Sequence, residues 1–128
     1  MRDPREEVPP HLKAELRRWS EKAHEVEARE SLLPLAEAFE EWKAGRLGSL
    51  DLSRQMRACM SGLLARLNGK YRSNLYEYQV AKAVVDGILD RGEMSAEALE
   101  CLAPALAVYE GMRASRQKRD TEAPANLI

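Results

Sequence analysis

The stretch Asn74-Leu75-Tyr76-Glu77-Tyr78-Gln79-Val80-Ala81-Lys82-Ala83-Val84-Val85-Asp86-Gly87-Ile88-Leu89-Asp90 decides how this chain folds. Its apolar residues do not alternate as a strand requires. At about 100° per residue, Val80, Val84 and Ile88 line up, with Tyr78, Ala81, Val85 and Leu89 beside them. The resulting apolar arc covers about half of a helix circumference. It is the broadest in the chain, so this segment is expected to be the central helix. Asn74 and Glu77 have the spacing of a capping box. Gly92 offers a stop, and the helix is read from 74 to about 90.

The neighbouring segments repeat the three-and-four spacing. Upstream, over residues 50–68, Leu52, Met56, Cys59, Met60, Leu63 and Leu67 make one stripe. Ala58, Ser61, Gly62 and Ala65 make a second face of small residues. A glycine within a helix costs roughly 1 kcal/mol relative to alanine, and one use for Gly62 is the close approach of another backbone. Ser49 or Asp51 is the expected cap. Downstream, Ser95 caps a segment from 96 to 113 with Leu99, Leu102, Ala103, Leu106 and Tyr109 facing inward. Pro104 falls inside that pattern and predicts a kink or a break. Residues 114–128 lose the periodicity and read as a disordered tail.

At the other end, Pro10 suits the first turn of a helix. Leu12, Leu16, Trp19, Ala23 and Val26 recur at steps of four and three through about residue 30, a narrow heptad-like seam. Ser31, ahead of Pro34, predicts that the rod kinks or restarts with Ser31 as cap. Leu32, Leu35, Ala38, Phe39 and Trp42 then share a face, and Gly45 ends it. Strand signals are almost absent. The expected fold is all-α: a compact bundle of about five helices with a kinked N-terminal helical pair, one domain over residues 1–113. Its core is expected to hold Trp19, Phe39, Trp42, Met56, Leu63, Val84, Ile88, Leu102 and Leu106.

At 128 residues and 45% hydrophobic content the chain can bury a core without staples. Cys59 and Cys101 form no paired motif and are expected to be free, buried thiols. The charged, proline-containing start lacks the apolar region of a signal peptide. No stretch approaches the roughly 20 apolar residues of a membrane span. A cytoplasmic protein is expected.

Catalytic chemistry finds little footing. Glu21 and His24 match the Glu-x-x-His spacing of di-iron bundles. That site needs two such motifs and two more glutamates, and here a single motif lies off the apolar seam. It reads as a solvated helix face. There are only two histidines, His11 and His24, and no glycine-rich phosphate loop. No enzyme, metal or cofactor is expected.

Net charge is −1 and uneven: residues 45–92 carry 8 Lys/Arg against 4 Asp/Glu. The expected function is a protein–protein interaction module, a homodimer and a regulatory or accessory subunit. Leu12, Leu16, Trp19 and Val26 would form one interface, and Ala58, Gly62 and Ala65 another. The alternative is a nucleic-acid-binding regulator whose Arg54, Arg57, Lys70 and Arg72 contact phosphates.

Overall fold

The computed structural model describes residues 8–122. Five α-helices follow one another, and no strand occurs among the described residues: α1 (Pro10–Lys43), α2 (Ser49–Ala58), α3 (Ala65–Lys70), α4 (Tyr76–Val85) and α5 (Ala96–Glu122). A π-helical segment, Cys59–Leu64, joins α2 to α3, and a 3-10 turn, Arg91–Glu93, precedes α5. The fold is the all-α helical bundle that the periodicity predicts. Its contacts divide into two compact units: residues up to Trp19 together with Leu75 onward, and Ser20–Asn74. The single domain expected over residues 1–113 is therefore described in two parts.

The N-terminal pair is one helix. α1 runs through Pro34 without a restart. Ser31 does not cap; its hydroxyl donates to the Glu27 carbonyl at 2.9 Å, as serines within helices do. Proline removes the hydrogen bond to the carbonyl four residues back, here that of Glu30. Both Glu30 and Pro34 are exposed, so water can satisfy that carbonyl. The same holds in α5, where Pro104 and Glu100 are exposed and the helix continues unbroken. α5 also outruns its expected end. Residues 114–122, read as tail, continue the helix because Ala114, Arg116, Gln117, Lys118 and Arg119 are strong helix formers that need no apolar stripe. Residues 123–128 of that tail, and the charged start over residues 1–7, lie outside the described residues.

In the first unit α4 packs on α5. Its core joins Leu12 and Leu16 from α1, Val80, Ala81, Val84 and Val85 from α4, and Ala98, Leu102 and Leu106 from α5. α4 ends at Val85, short of the expected 90. Gly87 takes φ +79°, the left-handed conformation that only glycine enters without strain. The chain then folds back, with Ile88 N–H donating to the Ala83 carbonyl at 2.9 Å. This tucks Leu89 into the core as a loop residue. The expected capping box does not form. Leu75 occupies the cap position, with no side-chain cap bond there, which leaves Asn74 outside the helix. Ser95 does cap α5, its hydroxyl accepting from Ala98 N–H at 3.1 Å.

The second unit, Ser20–Asn74, is an antiparallel helical hairpin. Its arms are the later part of α1 and the α2–π–α3 run. Near the turn, Trp42 Nε1 donates to Ser49 Oγ at 2.9 Å. Midway, Cys59 Sγ lies 3.7 Å from the Ser31 carbonyl. At the open end, His24 Nε2 is 3.3 Å from Asn68 Oδ1. Gly45, at φ +80°, makes the turn as expected.

Candidate interaction surface

The hairpin buries little. Its buried hydrophobic residues are Ala23, Ala38, Leu52, Cys59 and Leu67. Against these five stand seven exposed large ones: Leu32, Leu33, Trp42, Leu50, Met56, Met60 and Leu63. Three of the residues expected in the core are among them, Trp42 at 41%, Met56 at 38% and Leu63 at 48% exposure. The reason is geometric. Two helices can cover only one stripe of each other, so apolar residues beyond the seam face outward unless a further layer covers them.

The candidate interface residues fall elsewhere. Leu12 and Leu16, each 1% exposed, are spent in the core of the first unit and are not available as a seam. Trp19 and Val26 are half-buried and belong to different units. Ala58 and Ala65 are exposed. Gly62 makes room for no backbone, since nothing lies within 4 Å of where its Cβ would stand. It sits instead in the π-helical segment, a widened turn that the sequence stripe did not signal.

At the open end of the hairpin lies a polar cluster that sequence reasoning missed. Lys70 Nζ sits 3.0 Å from both carboxylate oxygens of Glu27, and the Tyr71 hydroxyl donates to Glu27 Oε2. His24 stacks on the Tyr71 ring at 4.6 Å between centroids and 9° between planes. The Lys70 ammonium lies 5.3 Å from the same ring centroid. No local spacing links Glu27 to residues 43 and 44 positions later, so no motif marks them. Beside the cluster an open groove of about 410 Å³ is lined by Glu30, Leu63 and Arg66, among others. Both oxygens of Glu27 are engaged, so the carboxylate is a brace rather than a free base. Glu21 and His24 bring no third ligand, and no group of three or more His, Cys, Asp or Glu side chains that could hold a metal occurs among the described residues.

The basic residues do not assemble either. Lys70 is held by Glu27, and Arg54 donates to Asp51 at 3.0 Å. Arg57 and Arg72 are exposed, on α2 and in the loop beyond α3. At the hairpin turn Arg46 donates to both oxygens of Glu41, and this hydrogen bond holds the Glu41 carboxyl below its ordinary range. Cys59 and Cys101 are buried thiols that form no disulfide. No helix among the described residues is long and apolar enough to cross a membrane. No protein-family model, curated protein or solved structure matches the chain.

Proposed function

We propose that this protein is a non-catalytic, helical protein–protein interaction module that docks through the Ser20–Asn74 hairpin and forms a homodimer. One observation carries the reading: the hairpin exposes more large apolar side chains than it buries. Apolar surface is worth roughly 25 cal/mol per Å² when removed from water. Exposed apolar surface beyond scattered single residues is the ordinary mark of an interaction site. Met56 and Met60 suit the role, because flexible thioether side chains adapt to a partner's shape. The docking element differs from the α1 seam expected from the heptad spacing, while the type of function is the same. The protein acts in the cytoplasm, as a regulatory or accessory subunit, with its two buried thiols reduced.

Light scattering over a concentration series tests the reading. A dimer is expected, and Met60→Glu, at a site already 67% exposed, weakens it while leaving the helical circular dichroism signal intact. A strict 14.5 kDa monomer at about 100 micromolar would defeat self-association. Phosphate contact by Arg54, Arg57, Lys70 and Arg72 draws less support, because Arg54 and Lys70 already have acidic partners. Duplex DNA and RNA are expected to give no salt-sensitive gel shift with the protein.

A further inference from the structure

Two carboxylates, Glu27 and Glu30, and two cations, Arg66 and Lys70, line the groove of about 410 Å³ in the hairpin. Glu27 and Lys70 neutralise each other at 3.0 Å. Glu30 and Arg66 are left over. They stand on opposite arms, in α1 and α3, and both are exposed. Neither has an ionic partner among the described residues, and they do not pair with each other. Arg66 Nε donates to the Gly62 carbonyl at 3.4 Å. That contact holds the guanidinium along its own helix and leaves both terminal amino groups without a protein acceptor.

The apolar part of the lining is aliphatic. Leu67 is buried and Leu63 is 48% exposed, so one leucine supports the groove and the other presents a free flank to it. Leu63 and the Gly62 carbonyl belong to the π-helical segment. Widened turns of this kind are rare and lie frequently at functional sites. The volume falls at the lower end of the roughly 300–1,000 Å³ of small-molecule sites, which suits a metabolite.

We propose that this groove binds a small zwitterion, a free α-amino acid with a branched aliphatic side chain. Its carboxylate accepts from the two terminal amino groups of Arg66, the fork-on-fork pairing that suits a guanidinium. Its ammonium donates to the Glu30 carboxylate, and its side chain lies on Leu63 and Leu67. The charge pattern selects this class. With Glu27 and Lys70 matched, one carboxylate and one guanidinium remain, and a ligand bearing one charge of each sign satisfies both. A simple anion would satisfy Arg66 and sit against Glu30, and a simple cation would do the reverse. The groove is open to solvent, which screens both contacts and places the affinity near about 1 mM. The site needs the residues of one chain only, so it adds to the docking role without depending on it.

The test titrates the isotope-labelled full chain with L-leucine and follows its amide signals by NMR. Signals around Glu30 and over residues 63–70 are expected to shift and to approach saturation by about 10 mM. Isocaproate keeps the carboxylate and lacks the ammonium, and isoamylamine keeps the ammonium and lacks the carboxylate. Each is expected to bind about tenfold more weakly than L-leucine. Glu30→Gln and Arg66→Gln, both at exposed positions, are expected to keep the wild-type circular dichroism. Each weakens L-leucine about tenfold, while Glu30→Gln leaves isocaproate unchanged and Arg66→Gln leaves isoamylamine unchanged. The proposal is overturned by the absence of a saturable shift up to about 50 mM L-leucine. It is equally overturned if either half-ligand binds as tightly as L-leucine, or if both variants bind L-leucine as wild type does. Light scattering reads dimerisation separately, so failure here leaves the docking reading standing.

Discussion

Glu27 and Lys70 stand 43 residues apart in the chain, yet the lysine ammonium lies 3.0 Å from both oxygens of the carboxylate. The pair ties the middle of α1 to the last residue of α3. Both side chains are less than a third exposed, 19% for Glu27 and 28% for Lys70. Screening by water is therefore weaker than for a surface pair.

Glu27→Gln keeps the shape of the side chain and removes its charge. Lys70 and the Tyr71 hydroxyl then lose their anionic acceptor, and a stability loss of about 1–3 kcal/mol is expected. Urea unfolding measures it. A midpoint unchanged from wild type would show that the cluster does not hold the hairpin together.

The same substitution has opposite signs at two glycines. Gly87→Ala puts a side chain into the left-handed conformation at φ +79°, expected to cost about 1–2 kcal/mol. Gly62→Ala meets no atom within 4 Å. It removes a flexible residue from a helical run, so a gain of up to about 1 kcal/mol is expected. Thermal melts of both variants compare them. A gain at Gly87, or a large loss at Gly62, contradicts this account.

Two leucines that share a helical, stripe-forming context separate in the fold. Leu102 is fully buried, and Leu102→Ala is expected to cost about 2–5 kcal/mol through lost transfer energy and the cavity left behind. Leu63 is exposed, so Leu63→Asp leaves the helical signal and the melting temperature close to wild type. Circular dichroism melts decide this, and a collapse of Leu63→Asp would return that residue to the core.

At the hairpin turn, the hydrogen bond from Arg46 lowers the Glu41 carboxyl. A carboxyl depressed in the folded state stabilises the fold above its unfolded value and loses that contribution as pH falls through the lower folded value. Both side chains are solvent-exposed, so the effect is small. Titration by NMR is expected to place Glu41 below an unfolded reference glutamate, and Arg46→Gln returns it to the ordinary range.

Periodicity made much of this molecule legible. The all-α fold, the apolar character of Val80, Val84 and Leu102, the stop at Gly45 and the cap at Ser95 follow from spacing and backbone preference, which act over a few residues. Tertiary structure alone decided the rest. Pro34 and Pro104 are read locally as kinks or breaks, and the helices run on through both, on exposed sides where water can take the freed carbonyl. Leu12 and Met60 look alike in a helical stripe, but one is buried and the other exposed. A stripe records that a face is apolar. Whether that face is covered depends on how many layers surround it, a property of the packed chain. The Glu27, Lys70 and Tyr71 cluster exists because an antiparallel turn returns the chain on itself, and no spacing within either arm encodes that meeting.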